Sequence, residues 1–520
     1  MESAAPSGTR LAGISIDRDS SVPLYQQLES GLRSALRAAT FAAGGRLPAI
    51  QELAAKLQVS RNTVRRAYQH LAADGLLEGT TRSGFCVRPG LCALGAPEEP
   101  KPETSAQPAP RSAGLASLAV EFNRCSALDQ IDLERLRADG PPRPFRPAFP
   151  DSNEFPLKRW EALRAKVLKE RSAELLQQCD TFGYGPLRQA IANRLRGARG
   201  VACTAEQVII SAGAQQALHL VAETLLSPGD AVGMEEPGSY RAKAAFLHAG
   251  ARMLPLLVDE EGVMAPEARR LHPPAMVYVT PGSQFPLGVK LSLARRAALI
   301  EFARDTGAWI IEDDCAGEFS YSGQALASLQ GEDESGRVLY LGTTGTTLFP
   351  ALEIAYLVAP PSLLDRFSKT KELLGAQPCA IHQATLARFI GEGYLNEHVQ
   401  RMNGLYYQRL QALAQSVDSE LDEFIELEPA EAGLHAVGWL KRGVDEQAVT
   451  HCAAAAGVEL PVLSNFGRTA LMRPGVVFGF ASFSEKQIRR AAKKLGSALR
   501  SKAVSSVARP GLLGRLMGRA

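Results

Sequence analysis

Ser60, Arg61, Asn62, Thr63, Arg65 and Arg66 fall within one short stretch, "VSRNTVRRAYQHLAADGLL". Hydroxyls and guanidinium groups bind phosphate oxygens, and a guanidinium can also grip the paired acceptors of a guanine edge. Val64, Ala67, Tyr68 and Leu71 recur at helical spacing, so Ser60 is expected to cap a helix running to Ala73. With those four residues packed inward, Arg61, Asn62, Arg65, Arg66 and Gln69 project outward, and Arg61 and Arg65 stand one turn apart. The preceding Gln51 to Leu57 is predicted as a short helix, "QVS" as a tight turn, and "LLEGTTRSGFCV" as a two-stranded wing with "TTRSG" at its tip. This is the pattern of a winged helix-turn-helix, whose second helix enters a DNA groove.

Charge supports that chemistry. The whole chain of 520 residues carries only +3, but Asp17 to Gly90 holds ten basic against six acidic residues, which leaves about −1 elsewhere. The longest apolar runs, such as "AMVYVT", are strand-length and far below the roughly 20 residues of a membrane span. The N-terminus "MESAAPSGTR" has neither a basic start nor an apolar h-region, so no membrane partner and a cytoplasmic location are expected. Eight dispersed cysteines without a C-x-x-C pair indicate neither a disulfide framework nor a metal site.

Beyond the head, residues 91–140 include a Pro-, Ala- and Glu-rich linker with room for one short helix in "LASLAVEFNRCSALDQIDLERLRA". From 141 to about 500, strands such as Met276 to Thr280 and Trp309 to Glu312 alternate with helices such as Leu157 to Ala173 and Ala214 to Leu226. That alternation predicts a mostly parallel sheet covered on both faces, with a small α+β subdomain over about 377–500 and a basic tail over 501–520. In "VLYLGTTGTTLFPALEIAYLVAP", two buried strands flank a polar turn of Thr and Gly. The tail motif "VARPGLLGRLMGRA" is basic with Leu512, Leu513, Leu516 and Met517, but three glycines and Pro510 favour a frayed segment over an amphipathic helix.

The head resembles the GntR family of winged-helix regulators at "PLYQQLESGLRSAL", "GGRLP", "ELAAKL", "VSRNTVRRAYQHLAADGLL" and "SGFCV". The resemblance places DNA contacts at Arg46, Arg61, Thr63 and Gly84, and puts Gln51 where the family carries a DNA-contacting Arg. The second segment resembles fold-type I, aspartate-aminotransferase-like domains at "FPDSNEFPLKRW", "FGYGPLRQAIANRL", "IISAGAQQALHLVAETLLSPGD", "YVTPGSQFPLGVKLSLARR" and "WIIEDDCAGEF". Head, linker and this domain together resemble the MocR subfamily. The fold expected is therefore a winged helix-turn-helix plus an α/β fold-type I PLP-transferase-like domain with a small C-terminal subdomain.

The resemblance implies a pyridoxal phosphate (PLP) site made of a Schiff-base lysine, an acid for the pyridinium, a stacking ring and a phosphate cradle. Asp313 stands at the pyridinium acid, and Ala214 and Gln215 at the phosphate-amide turn. Thr346 occupies the lysine position and Glu353 the phosphate-arginine position. Ser239 replaces the stacking tyrosine, with Tyr240 displaced by one, while Ser283 replaces a histidine and Cys315 a tyrosine. Thr has no amine, so covalent attachment at 346 is excluded. A carboxylate about 4 Å from a phosphate charge repels it by about 4 kcal/mol at an effective dielectric near 20. Lys369, in "FSKTKELL", lies beyond the strand "AYLVAP" and is not expected to substitute, and Arg473 comes too early to be the usual substrate-carboxylate anchor.

The expectation is a DNA-binding transcription regulator, a homodimer on double-stranded operator DNA, whose pseudo-aminotransferase domain dimerises or senses a small-molecule effector and has no assigned catalytic residue. One alternative keeps PLP, either as the effector of a MocR regulator or as the cofactor of a residual aminotransferase without the usual lysine. Another makes the second domain a protein-binding scaffold.

Overall fold

In the computed structural model the described residues are 23–37, 46–73, 77–80, 84–87, 142–267, 272–314, 317–321, 327–467 and 473–507. The chain divides into two compact units, Met1–Pro110 and Arg111–Ala520. The linker helix considered above, the wing tip at 81–83, Cys315 and the tail from 508 lie outside the described residues.

The head consists of α1 (Leu24–Arg37), α2 (Ile50–Lys56), α3 (Arg61–Ala73), β1 (Leu77–Thr80) and β2 (Gly84–Val87). Val64, Ala67, Tyr68 and Leu71 are buried, as their spacing predicts, and pack with Leu28 and Leu32 of α1 and Leu53 of α2. The Tyr68 hydroxyl donates to Pro48 O at 3.0 Å and its ring meets Phe85 of β2 edge-on at 5.3 Å. One side chain thus ties α3 to both the α2 entry and the wing, and burial pushes its phenol pKa up. The strands pair antiparallel from Leu77↔Val87 to Thr80↔Gly84.

The large unit is built on an eight-stranded sheet. Its strands are β3 (Val208–Ala212), β4 (Ala231–Glu236), β5 (Arg252–Asp259), β6 (Gly262–Val263), β7 (Met276–Val279), β8 (Trp309–Asp313), β9 (Val338–Thr343) and β10 (Ile354–Val358), in spatial order β3-β10-β9-β8-β7-β4-β5-β6. The run β9-β8-β7-β4-β5 is parallel, while β10 is antiparallel to both neighbours and β6 to β5. Continuous apolar strands serve two faces by alternation. Val208 and Ile210 pack toward helices Leu157–Leu175, Gly185–Arg199 and Ala380–Gly391, whereas Ile209 packs toward Gly213–Leu225, Tyr240–His248 and Leu364–Leu374.

A second sheet, β11 (Ile425–Leu427), β12 (His435–Leu440) and β13 (Gly475–Gly479), carries helices Tyr394–Glu420, Glu446–Ala456 and Glu485–Val507 over one shared core. The helix Ala380–Gly391, which the sequence reading grouped with this subdomain from about 377, instead packs in the large-sheet core through Ala384, Leu386 and Phe389. Its apolar face meets two helices of the large layer, and burial decides membership where a sequence boundary cannot. Conversely, Phe145 joins the small-sheet core and bridges Gly479.

His435 sits at the seam of the two sheets, buried, with Nε2 3.1 Å from Pro286 O and its ring edge-on to Phe285. Burial lowers its pKa from 6.5 to about 4. The folded pKa lies below the unfolded one, so this stabilisation is present above pH 6.5 and lost as pH falls toward 4. Urea-denaturation midpoints are expected to drop across that window, and the drop should be smaller in His435→Asn, which can still donate to Pro286 O but does not titrate.

Candidate nucleic-acid interface and the cleft at the sheet edge

Ser60 Oγ accepts the Thr63 N–H at 3.0 Å and lies 2.9 Å from Thr63 Oγ1, so the first turn of α3 is closed by its own side chains. Arg61, Asn62, Arg65 and Gln69 are exposed along the outer face. Arg65 Nη1 reaches Asn62 Oδ1 only at 3.4 Å, a contact too long to fix the guanidinium. Arg66 differs: its guanidinium carbon lies 4.0 Å from the Tyr25 ring centroid on α1. It is exposed, as its spacing predicts, and the aromatic ring beside it also attracts the cation. Gln51 is exposed on α2, next to the Lys56–Glu52 ion pair at 3.0 Å. Arg46 is exposed and bridges Cys86, and Gly84 opens β2 opposite Thr80, so both stand at the wing.

In the large unit, β3, β4, β7, β8 and β9 all run the same way. Their carboxyl ends deliver Gly213, Glu236, Thr280, Asp313 and Thr344 to one edge, where parallel sheets place ligand clefts. Asp313 is buried and its Oδ2 accepts the Tyr278 hydroxyl at 2.6 Å. Ala214 and Gln215 lie in the first turn of helix Gly213–Leu225, where Gln215 Nε2 donates to Arg241 O at 3.2 Å and Gln215 Oε1 is buried without a partner. Ser239 caps helix Tyr240–His248 by accepting from Ala242 N at 3.4 Å, and Tyr240 is half-buried. The Ser283 hydroxyl is buried with no hydrogen-bond partner among the described residues.

Thr346 is half-buried in the loop between β9 and β10. Glu353 is exposed at φ 48°, and the register Ile354↔Ala212 sets it beside the Gly213 turn. The edge therefore gathers every sequence-selected residue of the cleft that is described. Lys369 is exposed on Leu364–Leu374, beyond β10.

Two cleft residues escaped the sequence reading. Tyr278, the donor to Asp313, looked like one more apolar position of a buried strand. Glu235 is fully enclosed and accepts from Thr280 N at 2.9 Å, Thr280 Oγ1 at 2.5 Å and Gln284 Nε2 at 3.2 Å. Burial pushes its carboxyl up to about 7, with Asp313 adding in the same direction. A carboxylate closing an apolar strand, as in "AVGMEE", was the available signal.

The description "Bacterial regulatory proteins, gntR family" matches residues 24–87, and "Aminotransferase class I and II" matches residues 150–495. The probable rhizopine catabolism regulatory protein MocR of Rhizobium meliloti is 33% identical over 485 residues, covering 93% of this chain and 95% of that protein. The chain belongs to the MocR subfamily of GntR-type regulators. A second MocR-type relative, the pyridoxine biosynthesis transcriptional regulator PdxR of Corynebacterium glutamicum, is 29% identical over 463 residues, 89% of this chain and 93% of its own. Among solved structures, the α-aminoadipate aminotransferase LysN of Thermus thermophilus, complexed with N-(5'-phosphopyridoxyl)-L-leucine, aligns at TM-score 0.66 and 25% identity over 73% of this chain and 98% of LysN.

This MocR-type chain is thus a DNA-binding transcription regulator with a fold-type I aminotransferase-like domain. Among its described residues no helix is long and apolar enough to cross a membrane, and no group of three or more His, Cys, Asp or Glu could hold a metal.

Ser60→Ala removes the acceptor of the α3 cap. The head should lose about 1 kcal/mol of stability, read as faster amide exchange across α3 in the full-length protein.

Proposed function

We propose that the head binds a double-stranded operator through Arg61, Asn62, Thr63 and Arg65 of α3, with Ser60, Arg46, Gln51 and Gly84 at its margins. A homodimer would present two heads to paired half-sites. The aminotransferase-like domain is non-catalytic in this reading: it dimerises the regulator and senses an effector, and covalent PLP attachment has been lost. The observation that carries it is the β9–β10 loop, where a hydroxyl at Thr346 and a carboxylate at Glu353 stand in place of an amine and a guanidinium.

The residues present do not fit a covalently held PLP. No lysine occurs between Thr343 and Ile354, and the backbone register sets residue Glu353, a carboxylate, next to the Gly213 turn where the resemblance would place an anionic phosphate. The loss of positive charge falls at the two places where that cofactor is held most strongly. Ser239 and Ser283 supply neither a stacking ring nor an imidazole. Nothing comparable has happened to the α3 surface, which keeps its cap and its cations.

A second reading is supported by the buried Asp313–Tyr278 pair and by the name of the PdxR relative: PLP as a reversibly bound effector. Purified protein mixed with PLP separates the two. No borohydride-reducible adduct is expected on any lysine, and Thr346→Lys alone should not create one, because Glu353 still opposes the phosphate. A stable adduct in that single variant would show that the charge at 353 does not decide binding. In gel shifts with the protein's own upstream region, Arg61→Ala or Arg65→Ala should weaken salt-sensitive binding by about 1–3 kcal/mol where a base contact is lost. The Arg66→Ala variant should retain more of its affinity than either.

A further inference from the structure

A groove of about 430 Å³ lies on the small domain, between helix Tyr394–Glu420 and β11, the outer strand of its sheet. Its floor is apolar, formed by Tyr407, Leu410, Ala414, Val417, Ile425 and Leu427. Its rim is acidic, with Asp418, Asp422, Glu426, Glu428 and Glu431. Three of those carboxylates meet cations that do not line the groove: Asp422 meets Lys441 at 2.8 Å, Glu426 Arg473 at 2.7 Å and Glu431 Lys290 at 2.7 Å. Glu428 accepts from Trp439 Nε1 at 3.0 Å, and Asp418 has no ion pair among the described residues. Five carboxylates against three cations leave the rim negative. An occupant must therefore bring apolar side chains and positive charge together.

We propose that residues 508–520 of this chain, "ARPGLLGRLMGRA", dock in this groove, with Leu512, Leu513, Leu516 and Met517 on the floor and Arg509, Arg515 and Arg519 toward the carboxylates. Charge separates this segment from the longer ones outside the described residues. Residues 1–22 hold three acidic against two basic residues, and residues 88–141 hold eight against six, whereas 508–520 hold three arginines and no acid.

Reach is satisfied too. Helix Glu485–Val507 passes near the groove at Arg500, whose Nη1 donates to Glu420 O at 3.0 Å and pairs with Glu423 at 3.7 Å, beside Asp422. From Arg500 to Val507 the helix advances about 10 Å. An extended tail of this length spans at most about 45 Å, enough to fold back. The groove also includes Tyr321, whose N–H donates to Glu431 O at 2.8 Å. Tyr321 stands seven residues after Asp314 of the sheet edge, so a docked tail contacts chain that is close in sequence to the cleft.

Limited trypsin digestion of the full chain tests the contact at Arg515 and Arg519, the two tail arginines not followed by proline. Cleavage should be roughly tenfold faster in Asp418→Lys and in Tyr407→Glu than in the parent, since cutting tracks the undocked fraction, and salt at about 0.5 M should speed the parent as well. Equal rates in parent and variants overturn the proposal. Protection that rises with protein concentration also overturns it, by assigning the groove to a second copy's tail. As a second measurement, a fluorescent peptide of residues 505–520 should bind a chain ending at Val507 at least tenfold more tightly than it binds the full chain, whose own tail competes. Equal binding to both chains, or none to either, overturns the intramolecular contact. Neither readout depends on whether PLP binds.

Discussion

The cleft depends on an ion pair that lies just behind it. Arg199 donates to Asp314 through Nε at 2.7 Å and Nη2 at 2.6 Å, and through Nη1 to Gly317 O at 3.1 Å, while the Tyr340 hydroxyl also donates to Asp314. Both charged groups are buried, a costly arrangement that two-pronged geometry and extra hydrogen bonds offset. The pair clamps the end of helix Gly185–Arg199 to the end of β8. Adjacent residues at a strand end face opposite sides of a sheet. Holding Asp314 toward Arg199 and Tyr340 therefore sends Asp313 to the other side, against Tyr278.

That arrangement keeps the scaffold independent of the β9–β10 loop. Thr346 and Glu353 lie in a loop past the strand ends, outside the clusters that hold the sheet. Packing on the two faces is carried by strand and helix residues such as Ile209, Ile210, Phe246 and Phe389. Replacing a loop lysine or arginine removes no buried apolar area. Glu353 does sit in a left-handed backbone conformation, at φ 48° and ψ 41°, which a non-glycine residue adopts at a cost of order 1–3 kcal/mol. The loop thus holds a demanding backbone shape at that position.

Much of this was legible in the sequence, for reasons that differ by residue. The α3 core of Val64, Ala67, Tyr68 and Leu71 could be read because helical spacing fixes which residues share a face. The strands of the large sheet could be read because buried parallel strands are short, apolar and separated by helices. Arg66 is exposed, as its spacing predicts, but spacing gives a face and not a partner, and Tyr25 lies far away in sequence. Helix Ala380–Gly391 was assigned to the wrong layer because membership is decided by the surface it buries against. Tyr278 escaped because a tyrosine within an apolar strand reads, in one dimension, as one more strand residue, whereas Glu235 left a signal in the carboxylates that close β4, whose partners only the fold supplies.

A winged head alone has little with which to hold DNA. One recognition helix of 13 residues presents few outward cations, and Arg66 is already engaged with Tyr25. Each phosphate neutralised steepens the fall of log K with log salt by about 0.9, so a single head with few phosphate contacts gains little affinity from counterion release. Joining two heads makes the second contact intramolecular and can raise affinity by about 10²–10⁴ without a new contact, provided the spacing of the heads matches that of the half-sites. That proviso demands a body stiff enough to set a spacing. In the proposed homodimer, a sheet covered on both faces and held by the buried Arg199–Asp314 pair is one stiff component, reached in sequence from each head through the Pro-rich segment. In the proposed dimer, DNA binding therefore selects for the sheet and its packing rather than for any particular side chain of the β9–β10 loop.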